Sequence, residues 1–490
     1  MGHRLPLELL IQIARYLDAD NVSLQQYALV CRDWQAAFEG FIYRSMTVHS
    51  DKLPEFDRVI SKYQRRFHIS TLTCKIDVPY DLPDYSARLL EDARPGEMFA
   101  EENPIRAAND KAFQTGIVKL MDYLKSWGGS SRLHLILELS GRDQALEPGT
   151  ERDEEVQEFA SLRNGDLTPR PYRARFPSSG NDLELPILPV VYQLSNSLNA
   201  FHRIWPAAVL RIASCCPNLH SLFLNIRECV RPDHVDYMQK RRKALAEGLS
   251  SLPASLRVFR VESGYDNVWH GSQPGLDLLA GAKDIFSHNL RDLSMRLQEL
   301  DITPTPVALD IFFPLHADET ALDQHNVNWP ALETLNISGR NFLPTGEWLL
   351  DPTEEEEEEN EAPDWDDQSE YNFESIRIVE ESPYDRSQLR TDLAHQCFTS
   401  LGLAAQHMPR LRSAAFYLTV RPELALLLRT DAGSGTRTLT WQGYYEATGG
   451  YMPDNAVARA WGFEFDDLVD IGRSFPTYRV ELKQWPPGLS

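Results

Sequence analysis

"CCPNLHSLFL", residues 215–224, places Leu219, Leu222 and Leu224 in the order apolar-x-x-apolar-x-apolar, directly after a Pro-Asn turn signal. One such run is an ordinary half-buried strand. The same signature returns, though. It stands in "LPASLRVFRV" as Leu256, Phe259 and Val261, in "HNLRDLSM" as Leu290, Leu293 and Met295, and in "WPALETLNI" as Leu332, Leu335 and Ile337. An earlier copy is Ile69, Leu72 and Cys74, and a weaker one is Leu411, Ala414 and Phe416 in "MPRLRSAAF". Period-two alternation marks strands, and i, i+3, i+4 recurrence marks helices. "WPAAVLRIAS" (205–214) is helical by that rule and precedes the Leu219 copy, so strand and helix alternate.

A recurrent L-x-x-L-x-L core is the signature of the leucine-rich repeat, whose ordinary period is about 20–29 residues. Here the steps from Leu219 to Leu256, Leu290 and Leu332 are 37, 34 and 42 residues. The expectation is an α/β chain built as an irregular leucine-rich-repeat-like horseshoe with long inserts. Leu222, Phe259, Leu293 and Leu335 are expected as equivalent core positions along one parallel sheet. "YRSMTVHS" (43–50) and "RLHLILEL" (132–139) are further strands, and "LPEFDRVISKYQRRF" (53–67) is a helix. "TRTLTWQG" (436–443) and "TYRVELKQW" (477–485) are strands suited to capping the last open core.

The inserts stand out by composition. Residues 77–112 are rich in Pro, Asp and Glu, and residues 141–190 mix charges, Pro and Gly without a period. Residues 351–370 carry twelve acidic groups and no Lys or Arg, more than half of the chain's net charge of −23. Such a stretch brings no apolar surface to offset its ordering entropy and is expected to be disordered. The acidic balance also argues against nucleic acid or an anionic membrane as partner. No run of about 18 uninterrupted apolar residues predicts a membrane span.

No nucleotide-binding, metalloprotease or serine-hydrolase motif appears, so no catalytic residue, metal or cofactor is expected. The six cysteines form no zinc-spaced cluster, and the vicinal Cys215–Cys216 pair reads as buried thiols. "QKRRKAL" (239–245) reads as the solvated face of a helix, and "DAGSGTRT" (431–438) as a surface turn.

The other informative stretch is "LPLELLIQIARYLD", residues 5–18. Glu8, Gln12, Arg15 and Asp18 interrupt it, so it is no secretory signal, and reduced cysteines in the cytoplasm or nucleus are expected. Pro6 suits a first helical turn, and Leu9, Leu10, Ile13, Tyr16 and Leu17 form a broad apolar face. Ser23 is placed to cap a second helix carrying Leu24, Tyr27, Ala28, Val30, Cys31 and Trp34, through Phe38. A helical unit of some 40 residues is near the lower size limit for independent stability and gains from packing on something else.

Leu5-Pro6, Glu8, an Ile/Leu helix, and then Val30-Cys31-x-x-Trp34 resemble an F-box, with the loop "DADNVSLQQY" slightly longer than the common form. The segments "DWQAAFEGFIYRSMTVHSDKLPEF", "LPDY", "WPALETLNISGRNFLPTGEWLL" and "YRVELKQWPP" resemble a group of fungal F-box proteins. The resemblance implies an F-box domain over residues 1–45 and a substrate-recognition domain over 46–490. It implies a substrate receptor of an SCF-type cullin–RING ubiquitin ligase, docking on the Skp adaptor and through it the cullin, and holding an unknown target protein. Leu9, Ile13, Val30 and Trp34 are then the adaptor anchors, with Leu5, Pro6, Leu10, Leu17 and Cys31 around them. The competing readings are an F-box scaffold outside any ligase and a cryptic enzyme that uses the helices as packing.

Overall fold

The computed structural model describes residues 5–20, 22–79, 104–128, 132–141, 173–177, 183–196, 203–226, 235–262, 275–281, 283–315, 327–352, 386, 388–420, 423–443, 451–472 and 476–487. The chain is a mixed α/β protein in two compact units: residues 1–147 with 171–223, and residues 148–170 with 224–490. Most of the acidic stretch, residues 353–370, lies outside the described residues, as do most of the two longer inserts. Among the described residues no helix is long and apolar enough to cross a membrane.

The first unit opens with helix α1, Leu7–Ala19, started by the Pro6 carbonyl, which accepts the N–H groups of Leu9 and Leu10. Helix α2 spans Arg32–Ile42. The second helix therefore begins nine residues later than Ser23, a correction to the sequence expectation. Ser23 instead donates to the Gln25 side chain, Tyr27–Leu29 make a single 3₁₀ turn, and Cys31 is extended at φ −164° as the N-cap residue of α2. The i, i+3 spacing of Leu24 and Tyr27 fits a 3₁₀ turn as well as an α-helix, which is why the pattern did not separate them.

Five parallel strands follow: β1 Ser45–His49, β2 Thr71–Val78, β3 Leu133–Gly141, β4 Val191–Asn196 and β5 Ser221–Asn225, paired in that order. Register aligns Met46, Leu72, Leu135, Leu194 and Leu222 in one row. Helices α3 (Leu53–Ile60), α4 (Pro104–Lys125) and α5 (Pro206–Ser214) supply the crossovers. The expected helix over 53–67 ends at Ile60, and Lys62–His68 wind as 3₁₀. α4 buries Phe113, Ile117, Leu120, Met121 and Leu124, a stripe at i, i+4, i+7, i+8 and i+11. Gly116 lets this helix approach β2, because a Cβ there would sit 2.8 Å from Ile76.

The second unit continues the rhythm with helix α6 Val235–Leu249, β6 Val258–Glu262, α7 Ile285–Ser294, β7 Glu299–Thr303 and β8 Thr334–Ser338, then α8 Thr391–Ala405 and β9 Ser413–Val420. β6 to β9 are parallel, and Phe259, Leu300, Leu335 and Ala414 share one row while Val261, Ile302, Ile337 and Phe416 share the next. Leu222, Phe259 and Leu335 are thus buried strand positions, but Leu293 is not one. It is buried on helix α7, and the strand copy is Leu297, Leu300 and Ile302 of "LQELDI". The i, i+3 step of Leu290 and Leu293 is also a helical step, so "HNLRDLSM" satisfies both patterns.

The leading leucine of each copy is fixed by a turn. Leu219, Leu256, Leu297 and Leu411 each donate their N–H to the carbonyl three residues back. The rungs are then tied together, since Gln298 donates to Arg257, Glu333 to Gln298 and Arg412 to Glu333. After β9 the sheet turns antiparallel through β10 Glu423–Thr430, β11 Arg437–Gly443 and β13 Thr477–Leu482, with β12 Val469–Asp470 at its edge. "TRTLTWQG" and "TYRVELKQW" are two of these strands. The turn at "DAGSGTRT" closes β10 on β11: Asp431 accepts the N–H groups of Gly433 and Ser434, and Gly435 takes φ +73°. Helix α9, Asn455–Trp461, packs on α8, where a Cβ at Gly402 would meet Trp461 at 2.7 Å.

The basic run on α6 is not wholly a solvated face. Arg242 forms an ion pair with Asp284 at 2.7 Å, stacks over Phe286 and donates to the Pro306 carbonyl, all at low exposure. Its cationic neighbours Lys240 and Lys243 are exposed. The thiols of Cys215 and Cys216 are pushed up by burial, which keeps them protonated and unreactive near neutrality.

Candidate functional site

Helix α1 carries two apolar stripes instead of one. The inner stripe, Leu10, Ala14 and Leu17 at i, i+4, i+7, meets Leu24, Ala37 and Phe38 in a small core. The outer stripe, Leu9 and Tyr16, is exposed, and Ile13 sits half-buried between the two. Leu5 and Leu7 are exposed at the start of the helix. A globular surface helix ordinarily keeps one apolar stripe facing its core and charges on the other side. A contiguous second stripe marks a surface that meets a partner.

The 3₁₀ turn adds to this surface. Leu29 and Val30 are 86% and 62% exposed, the most open large apolar side chains of the unit apart from Tyr16. Beneath them Trp34 is half-buried, stacked on Phe38 at 5.2 Å and on Tyr27 at 6.1 Å. Trp34 therefore holds the turn that displays Leu29 and Val30.

Of the nine residues singled out by the sequence, Leu5, Pro6, Leu9, Val30 and Cys31 stand in solvent, Ile13, Leu17 and Trp34 are half-buried, and Leu10 lies in the core. Leu10 positions α1 and presents no surface of its own. Leu7, Tyr16 and Leu29 join the exposed set. Tyr16 follows Leu9 by seven residues, so the helical period alone placed it on that stripe. Leu7 and Leu29 lay outside the family pattern and were missed.

The unit is tied to the segment after it by a mostly buried ion pair. Arg65 binds the Glu39 carboxylate through Nη2 at 2.5 Å and Nε at 3.0 Å, stacks over Tyr43, and Gln35 adds a third hydrogen bond at 2.7 Å. Burial by itself pushes the Glu39 carboxyl up. The hydrogen bonds from Arg65 and Gln35, with the Arg65 charge, outweigh it and hold the group below its ordinary value.

Among the described residues, one cluster has the chemistry of a metal site: His49, Asp51 and Asp77, with ligand atoms within 4.8 Å of one another. His49 and Asp51 are exposed, and the contact actually made is a His49–Asp77 hydrogen bond of 2.9 Å with Ser50 also donating to Asp77. This arrangement caps the ends of β1 and β2 as an ion pair.

Residues 3–49 match the F-box-like family, a span that holds α1, the 3₁₀ turn, α2 and β1. The chain thus carries an F-box-like domain, a type that generally binds Skp-type adaptors. No curated protein matches the chain.

Proposed function

We propose that this chain is the target-receptor subunit of an SCF-type cullin–RING ubiquitin ligase. The observation that carries the reading is the second apolar stripe, Leu5, Leu7, Leu9, Leu29 and Val30, exposed on a unit that matches the F-box-like family. Helix faces of this kind dock into grooves, and the Skp adaptor supplies one. Through that adaptor the chain reaches the cullin. The remaining α/β units hold a target protein, and we read their recurrent strand-plus-helix rungs as leucine-rich-repeat-like, in keeping with the resemblance to the group of fungal F-box proteins.

The receptor contributes no reacting group. It raises the effective concentration of the target beside a charged ubiquitin-conjugating enzyme, and positioning of this kind is worth several kcal/mol of barrier. It needs neither metal nor cofactor and works in the cytoplasm or nucleus, where its cysteines stay reduced. A second reading, an F-box scaffold outside the ligase, keeps the adaptor and loses the cullin.

Affinity purification under proteasome inhibition separates the two. The full chain is expected to bring down adaptor, cullin and ubiquitylated proteins, and a chain lacking residues 3–49 none of these. Adaptor without cullin would favour the scaffold, and neither protein with the full chain would refute both readings.

A further inference from the structure

The outermost strand of the second unit, β12, differs from the rest of the sheet. It pairs on one side only, with Val469 opposite Arg479 and Asp470 opposite Tyr478, and it closes the strand order. Its side chains at i and i+2 share one face by the period of a strand. Those side chains are Val469 and Ile471, 55% and 47% exposed, and Phe465 stands beside them at 37%. Edge strands are normally blunted, because an open row of N–H and C=O groups recruits other chains. This one carries bare branched aliphatics.

The edge is held in shape. Asp470 Oδ1 accepts the N–H groups of Gly472 and Thr477, bracing the hairpin, and Ile471 N–H donates to the Thr477 carbonyl. The 3₁₀ turn Phe465–Asp467 is pinned by the 2.7 Å ion pair between Asp467 and Lys483. A pre-organised strand edge loses little entropy on binding.

The charge around it selects the occupant. Residues 464–472, "EFDDLVDIG", hold four carboxylates and no Lys or Arg, and Glu464 and Asp466 are exposed. A second copy of the same edge would bring these carboxylates against each other, and like charges directly opposite destabilise a strand pair. A basic segment meets complementary charge instead.

We propose that β12, with Phe465, docks an extended segment of a partner protein in which apolar side chains alternate with Lys or Arg, added to the sheet as a further strand. Main-chain hydrogen bonds along the edge supply affinity, and alternate side chains supply specificity. The proposal rests on the receptor reading, since it names the class of target segment.

The test uses the full chain and fluorescence anisotropy with labelled peptides of about ten residues, enough to span such an edge. One peptide alternates Lys with Val, a second Glu with Val, a third Lys with Gly. The Lys–Val peptide is expected to bind and the other two to bind at least about ten-fold more weakly. The variant Val469→Asp with Ile471→Asp is expected to lose Lys–Val binding by about ten-fold or more. Its added carboxylates would strengthen a merely electrostatic attraction, so loss isolates the apolar edge. An unchanged melting temperature for this variant shows that the loss is local. Equal binding of the three peptides, undiminished binding by the variant, or no binding of Lys–Val would each overturn the proposal. Adaptor binding, measured on the same variant, is expected to be unchanged. A native chain that binds no adaptor sinks the receptor reading while leaving the peptide result to stand on its own.

Discussion

At the scale of single residues, display and support separate. Leu9 and Val30 are exposed and touch little of their own chain, whereas Trp34 is stacked between Tyr27 and Phe38. Replacing Trp34 with Ala is therefore expected to lower the stability of the helical unit by about 2–4 kcal/mol, somewhat under the cost for a fully buried aromatic. Replacing Leu9 or Val30 with Asp is expected to leave the melting temperature within a degree or two, because exposed substitutions ordinarily fall within about 0.5 kcal/mol. Glu39→Gln removes the charge that partners Arg65 and should cost about 1.5–3 kcal/mol. The same pair predicts an acid response. Because the folded Glu39 carboxyl titrates below its ordinary value, its stabilisation is complete above the unfolded value of about 4.3 and fades as pH falls through the lower folded one. Unfolding midpoints followed between pH 6 and pH 3 should show that loss in the native chain and a flatter profile in Glu39→Gln. The family pattern identified Trp34, Val30 and Leu9 together. It did not say which of them face outward, since that depends on the 3₁₀ turn that replaced a helix.

At the scale of elements, the repeated apolar-x-x-apolar-x-apolar run was a reliable guide to strands wherever a turn preceded it. Leu219, Leu256 and Leu411 all begin such a turn and lead into β5, β6 and β9. It failed at "HNLRDLSM", where a helical i, i+3 step imitated the strand step, and the true copy lay a few residues on. Register makes the distinction measurable. Leu300→Ala, between Phe259 and Leu335, should cost about 2–5 kcal/mol. Gly402→Ala should also destabilise, because its Cβ would fall 2.7 Å from Trp461 and 2.8 Å from Ala460 with both side chains buried. Thermal or denaturant unfolding of the two variants checks both. The antiparallel end of the sheet was legible as strands. Its single-sided edge was not, because "EFDDLVDIG" reads as an acidic surface loop until pairing shows that Val469 and Ile471 line a sheet margin.

At the scale of the whole molecule, the sequence announced an F-box-like start and a long α/β remainder, and the two compact units agree with that division of labour in kind. Which strand faces stay open was not legible, because it depends on where each helix packs and on inserts whose composition carries no period. The central claim concerns the helical unit: its outer apolar stripe docks a Skp-type adaptor. Central interface anchors typically cost about 2–4 kcal/mol when truncated, roughly 30- to 1,000-fold in affinity. The most direct measurement is the dissociation constant of purified Skp adaptor for the full chain and for the double variant Leu9→Asp with Val30→Asp. The account predicts tight binding to the native chain and a loss of at least about a hundred-fold in a variant that melts at the native temperature. Native affinity retained by that folded variant would contradict it.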